Sequence, residues 1–423
     1  MLRTATHPPI AITGIGLVCP LGNSLPAALD SARRGENAIR AYTSPWVDEG
    51  HPRLRTRVGG TVEGFGLEHG LEPKFAARQD HAVLFALAAA AEAMTQAGML
   101  ADIDRERIGC VVGAGLPGAE LWHRALHQSY AEDQPEAIAR MTAIAITGNA
   151  ASAQIGLRYG LRGPALGLAN ACASGTTAIA IAMDQIRLGR ADAMVVGGCE
   201  SSMRSLVTYA CFVDAGMNTS RDPEGACSPF AAGRKGFVLA EGAGVLVLER
   251  LDLARARGAR VLGLVLGSAI TNDAHHIINP EPTGAAWART MGLALADAGI
   301  HPDQVDAISA HATATPLGDV AETRAIKRVF GGRADQIPVS ATKSMHGHAF
   351  GAAGVIETAL ALGAMGVGEV LPTINLHQPD PECDLDYVAN VGRAAAVQVL
   401  VKNGFGAGGA ATSLVLAREV LWS

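Results

Sequence analysis

The sequence predicts an α/β protein made of two similar halves, on three observations. Short apolar runs alternate with longer helical segments along the chain, the pattern of strands covered by helices. Hydrophobic residues make up 49% of the chain and aromatic ones only 4%, so Ala, Val, Leu and Ile must fill the core. An Ala-Gly helix end followed by a strand occurs twice, about half a chain apart: Ala97-Gly98 before 108–112, and Ala298-Gly299 before 306–309. A duplicated unit explains that echo. At 423 residues the chain can bury a substantial core, and no Pro/Gly/Ser-rich linker divides it.

The elements follow in order. Ile10–Gly14 reads as a strand ending in glycine. His81–Ala97 reads as an Ala-rich helix closed by Gly98. Ile108–Val112 is a strand that runs into the loop Gly113-Ala114-Gly115, and Leu166–Asn170 is a strand that leads into a turn at Ala171–Ser174. Thr176–Leu188 carries Ile179, Met183 and Ile186 at helical spacing and stops at Gly189. Ala193–Val196, Gly244–Leu248 and the final Ser413–Ala417 are further buried strands.

Charge narrows the function classes. Lys plus Arg is 34 and Asp plus Glu is 40, for a net charge of −6. Bulk nucleic-acid binding needs a dense basic surface and is excluded, while a small basic patch for an acidic partner is not. No apolar run approaches the ~18 residues of a membrane span, and Met1–Pro9 lacks the apolar stretch of a signal peptide. A cytoplasmic, membrane-free protein is expected. Cysteines 19, 110, 172, 199, 211, 227 and 383 are scattered without a C-x-x-C pair, which argues against a disulfide framework.

Four segments hold residues able to do chemistry. Asn170-Ala171-Cys172-Ala173-Ser174-Gly175 places a thiol where a strand turns into a helix. Helix N–H groups and the dipole there would lower its pKa; a buried structural cysteine is the alternative. Ser309-Ala310-His311-Ala312-Thr313-Ala314-Thr315 puts a histidine at a strand end, followed by two hydroxyls; it reads equally as a satisfied core histidine beside a Thr-rich turn. Lys343-Ser344-Met345-His346-Gly347-His348 precedes a helix that carries Glu357. His346 and His348, with His311 and the pair His275-His276, raise the idea of a metal, but no recognised ligand spacing supports it. Asn403-Gly404-Phe405-Gly406-Ala407-Gly408-Gly409 is a Gly-rich loop with no Lys-Ser/Thr after it. It suits backbone donation to an oxyanion better than a nucleotide phosphate.

Taken together, these segments resemble the elongating β-ketoacyl-acyl-carrier-protein synthases of the thiolase-like superfamily. The resemblance spans nearly the whole chain. It includes Ala11-Ile12-Thr13-Gly14-Ile15-Gly16, Tyr159-Gly160-Leu161-Arg162-Gly163-Pro164 and Gly236-Phe237-Val238-Leu239-Ala240-Glu241-Gly242-Ala243-Gly244. It implies a thiolase-like fold with a five-layered α-β-α-β-α core. An N-terminal half, 1–251, would carry the nucleophile, and a C-terminal half, 252–423, the two histidines and the Gly-rich loop.

The implied activity is decarboxylative condensation of a malonyl extender with an acyl chain held on Cys172, in fatty-acid or specialised polyketide or polyene synthesis. His311 and His348 would hydrogen-bond the extender thioester and stabilise its enolate. Lys343 and Glu357 match the supporting charged pair, and Thr313 and Thr315 the hydroxyls that hold phosphopantetheine. The N–H groups of Cys172 and Phe405 resemble the oxyanion hole, with Phe405 also gating the acyl pocket. Asp319 and Glu322 would support loops. No cofactor is implied beyond the phosphopantetheine of an acyl carrier protein, and no metal.

Departures are present. Ala410-Ala411 stands where Thr-Asn is usual, and Ala312 where glycine is usual. Ala231, Gly233 and Lys235 surround Arg234 where relatives often carry acids, and Gly216 replaces a frequent carrier-docking arginine, which leaves Lys74 and Arg78 as basic candidates. A silent or chain-length-determining partner subunit is one alternative, and a thiolase-type CoA acyltransferase another; Cys172 argues against the first and Phe405, in place of a second cysteine, against the second. The strand before Cys172, with Leu166 and Leu168 alternating with Gly167 and Ala169, would pair subunits as a homodimer, or as a heterodimer with a chain-length-factor-like paralogue.

Overall fold

The computed structural model describes residues 8–42, 56–66, 71–214, 218 and 220–419. Five strands come from the first half: β1 (Ile10–Val18), β2 (Ile108–Gly113), β3 (Ala165–Leu168), β4 (Ala193–Glu200) and β5 (Gly242–Arg250). Five come from the second: β6 (Gly263–Asn272), β7 (Ala307–Ser309), β8 (Val339–Ser340), β9 (Val399–Phe405) and β10 (Ala410–Ala417). Within each half the first strand pairs antiparallel with the fifth and the fifth antiparallel with the fourth; the fourth, second and third then run parallel. The topology therefore repeats strand for strand, as the two Ala-Gly echoes suggested. The two five-stranded sets join through β1 and β6, at Ile10↔Val265, Ala11↔Leu264 and Ile12↔Gly263, into one ten-stranded sheet.

Helices complete the layers. Helix α1 (His81–Gln96) covers the outer face of the first half, against β1, β5 and β4. Asp80 caps it by accepting the Ala82 N–H at 3.0 Å. The helix lies on the β1 backbone, where a Cβ at Gly16 would stand 1.8 Å from the Ala89 carbonyl oxygen. Helix α2 (Ala119–Tyr130) follows β2. Helix α3 (Ser174–Arg187) and helix α6 (Phe350–Val367) lie between the two halves of the sheet, each touching strands of both. Helices α4 (Ala285–Ala298) and α5 (Pro316–Phe330) pack on each other outside the second half. The order is the five-layered α-β-α-β-α core.

Two local readings shift. The strand before Cys172 ends at Leu168, because Asn170 turns to give its N–H to Ser174 Oγ at 2.8 Å, and the helix expected from Thr176 opens at Ser174. One 18-residue helix, α6, does have the length and apolar composition of a membrane span, contrary to the expectation, and it is buried as the central layer.

The α3 and α6 termini meet backbone to backbone. A Cβ at Gly354 would lie 2.1 Å from Thr176 Oγ1 and 2.6 Å from its nitrogen, and one at Gly175 would lie 2.8 Å from the Gly351 carbonyl oxygen. Gly354→Val should therefore lose about 3 kcal/mol or more by overpacking, read by chemical denaturation. Gly366, with nothing near its missing Cβ, is the control: Gly366→Ala should gain about 0.5–1 kcal/mol through helix propensity. Equal effects of the two would refute the backbone contact.

Candidate active site

Cys172 sits on the turn between β3 and α3. Ala171 holds a left-handed φ of +46° there, and Ser174 Oγ braces the turn by donating to the Ala171 carbonyl at 2.6 Å. The thiol is half-buried at the wall of a cavity of about 460 Å³, which His311, His348, Phe237, Phe350 and Phe405 also line.

The histidines arrive from the second half. His311 follows β7, and its N–H and that of Ala312 each donate to Glu322 on α5 at 2.8 Å. Lys343 Nζ donates to the His311 carbonyl at 2.5 Å. Ala312 and Ala314 hold φ of +31° and +61°, so this loop is bent in a way that disfavours side chains. His348 comes just before α6. Its ring stacks on Phe350 with centroids 4.7 Å apart, and stands edge-on to His311 at 5.6 Å. Both ring nitrogens of His348 are buried and have no partner among the described residues. A buried imidazole with free nitrogens facing a cavity is set up for a ligand oxygen.

Burial favours neutral groups here. It carries the pKa of both His311 and His348 well below 6.5, and Lys343 and Lys402 add to the effect. It also pushes the Cys172 thiol up to about 12, against the opposing pull of Lys343 and the Ala407 N–H. The expectation of a thiol lowered by the helix terminus is thereby corrected: burial outweighs it. Behind the histidines, Lys343 and Lys402 each ion-pair with an oxygen of Glu357, Lys402 at 2.5 Å. They hold Glu357 below its ordinary range although burial opposes ionisation. On the other side, Glu200 accepts the Gly115 and Gly351 N–H groups at 2.9 and 3.2 Å, and burial raises it to about 7.

The Gly-rich loop closes the site. A Cβ at Gly406 would fall 3.1–3.2 Å from Asn170 O and Cys172 N, so a side chain there would crowd the turn that carries Cys172. The Ala407 N–H faces the Cys172 sulfur, together with the N–H of Cys172 itself.

Sequence signatures agree with this geometry. The β-ketoacyl synthase N-terminal domain matches residues 7–254 and its C-terminal domain residues 262–377. The chain belongs to the β-ketoacyl synthase family. It is 36% identical over 414 residues to 3-oxoacyl-[acyl-carrier-protein] synthase 2 of Staphylococcus aureus strain N315, covering 97% of this chain and 98% of that one. It is 38% identical over 407 residues to the Synechocystis protein of the same name, covering 95% of each. Among solved structures it superimposes, with a TM-score of 0.89, 31% identity and coverage of 98% and 100%, on a type II polyketide synthase acyl-carrier protein in complex with its ketosynthase bound to the hexaketide. The ishigamide ketosynthase/chain length factor gives a TM-score of 0.89, 30% identity and the same coverage.

Within this synthase fold the expected residues lie on the cavity or directly behind it. Thr313 and Thr315 line the cavity with hydroxyls 3.2 Å apart, and Thr315 also caps α5 by accepting the Gly318 N–H. Asp319 accepts the Phe230 N–H at 2.8 Å and pairs with Arg234, so it and Glu322 hold loops. Phe405 lines the cavity, its ring 5.7 Å from that of His311. Its ring is buried and stacked on Trp287 at 4.1 Å, and its backbone lies in the β9–β10 ladder. The amide facing the thiol belongs to Ala407, two residues on. His346 turns away, with Nε2 3.2 Å from Thr342 Oγ1, and no metal-type cluster of three or more His, Cys, Asp or Glu occurs among the described residues. Lys74 and Arg78 are exposed, and Gly216 lies outside the described residues. Lys402 was missed, although a lone lysine in the apolar run Val399-Leu400-Val401 was a usable signal.

A thiol near 12 makes a kinetic prediction. Alkylation of Cys172 by iodoacetamide, mapped by mass spectrometry, should rise nearly tenfold per pH unit between pH 7 and 9. A plateau below pH 8 would restore the thiolate that the turn position alone suggests.

Proposed function

We propose that this chain is a β-ketoacyl-acyl-carrier-protein synthase whose nucleophile is Cys172 and whose decarboxylation pair is His311 and His348. The carrying observation is the convergence of one thiol and two neutral imidazoles, one of them with both nitrogens free, on a single cavity. In the first step the Cys172 sulfur attacks an acyl thioester. The C–S bond to the carrier breaks as the new one forms, and the thiol proton passes through a neutral imidazole to the departing carrier sulfur, which leaves as the thiol and returns the ring to its neutral form. In the second, the malonyl thioester carbonyl accepts hydrogen bonds from the histidines as CO₂ leaves. The resulting enolate attacks acyl-Cys172, giving a 3-oxoacyl carrier thioester and returning the thiol with one proton taken up. Donors aimed at oxygen only as it gains charge supply most of the effect. The Cys172 and Ala407 N–H groups serve the acyl-enzyme oxyanion.

Thr313 and Thr315, on the cavity wall, hold the phosphopantetheine arm, which arrives with the substrate. The partner is an acyl carrier protein, with exposed Lys74 and Arg78 as basic docking candidates. The duplicated strands support dividing the chain at 251/252. Two-subunit assembly is supported by β3, an edge strand of the sheet, where Leu166 is exposed, as are Leu157, Met141 and Ile144 in the segments that precede it; exposed apolar surface at a sheet edge suits an interface. The self-sufficient residue set favours a homodimer over a pairing with a paralogue.

His311→Ala and His348→Ala should each lower malonyl-carrier decarboxylation by about 10²-fold or more. Loading of acyl groups on Cys172 should fall less, since solvent can replace a base as pH rises. Acylation found on Cys199 or Cys211 instead, or wild-type decarboxylation in both variants, would overturn these assignments.

A further inference from the structure

Lys402 lies in the apolar strand β9 and is fully buried. A buried ammonium is costly unless paired and hydrogen-bonded, so its partners define its role. Nζ lies 2.5 Å from Glu357 Oε2 and also meets the Asn403 carbonyl. Lys343 takes the other carboxylate oxygen and donates to the His311 carbonyl at 2.5 Å. One carboxylate is thus shared by two ammonium groups, one of which also holds the histidine loop.

We propose that Lys402 is a positioning residue for the His311–His348 pair, acting through Glu357. Its importance for condensation rests on the function proposed above; its effect on the rings does not. With Lys402 on one oxygen, Glu357 is fixed, and Lys343 stays aimed at the His311 carbonyl. The second consequence is electrostatic. Lys343 and Glu357 alone would cancel, whereas Lys402 leaves one net positive charge behind the rings.

The groups that face the histidines are Lys343 and His346 from the short helix Lys343–His346, Glu357 from α6, Lys402 from β9, Glu322 from α5 and Cys172 from the nucleophile turn. Burial and the Lys343 charge already oppose ring protonation, and Lys402 adds to them. Burial also raises Glu322, opposed by the His311 and Ala312 N–H groups, the Asn403 amide and Lys402; the residue itself is the same in the wild type and in every variant compared below. The sign is then fixed. Losing the Lys402 charge raises the ring pKa values, so on the acid side a larger share of the pair becomes charged and inactive.

Lys402→Met should move the acid limb of malonyl-carrier decarboxylation to higher pH by about half a unit or more, while Lys402→Arg keeps it in place. The double variant Lys402→Met/Glu357→Gln again leaves one net positive charge, from Lys343. Its rate should fall with the lost positioning, but its acid limb should return toward that of the wild type. NMR titration of the histidine rings in the full-length protein reads the same shifts without activity. A folded Lys402→Met protein whose limb and ring titrations match the wild type overturns the proposal. So does a double variant shifted as far as the single one. If Lys402→Met does not fold, Lys402→Gln and the double variant are read by the same titrations. If the wild type itself neither decarboxylates nor condenses, the proposed function fails, and the ring titrations still decide the role of Lys402.

Discussion

The structure depends on a crossing of two helix N-termini at backbone distance. α3 and α6 approach so closely that Gly175 and Gly354 have no room for a Cβ; Gly351 is held as tightly against Ala114-Gly115 after β2, and Gly113, Gly198 and Gly404 bring the flanking strands equally close to the two helices. Close-packed interiors transmit such constraints over the whole core. Here the crossing sets how the two halves meet. It also places the residues just before each helix, Cys172 and His348, on one cavity. Large aromatics in the central layer would have forced the helices apart, which gives the low aromatic content of the chain a structural meaning.

The electrostatics follow from the same packing. A site enclosed between two halves of a sheet is poorly solvated, and desolvation is the leading influence on Cys172, His311, His348 and Glu200 alike. Each is moved toward its neutral form. The exception is Glu357, kept ionised by the two lysines on its oxygens. Cys172 and the two histidines are therefore biased toward their uncharged forms, and the Lys343–Glu357–Lys402 group stands behind the rings.

Much of this was legible in the sequence. Periodicity and Ala-Gly helix ends gave the alternating elements and the duplication. The Cys172, His311 and His348 segments stood out because each combines a reactive side chain with small neighbours at an expected strand-to-helix junction. What stayed hidden depends on distances in space. Phe405 and Ala407 differ by two positions in one loop, and only the packing of the loop against Asn170 and Cys172 shows which amide faces the sulfur. The shift of the thiol was misjudged because a local rule about helix ends could not register the burial supplied by the other half. Lys402 interrupts an apolar run, which marks it in the sequence, but its partners Glu357 and Lys343 come from distant segments and are visible only once β9 lies inside the core.

The strand-for-strand repetition has a consequence for descent. Cys172 and His348 occupy the same slot, the residues just ahead of the central helix, in the two halves. A pair of identical half-length chains related by two-fold symmetry would have to put the same side chain in both slots, either two thiols or two imidazoles. Covalent fusion into one chain breaks that symmetry. Each slot can then be mutated alone, and a thiol and an imidazole can face each other across what would otherwise be a symmetry axis.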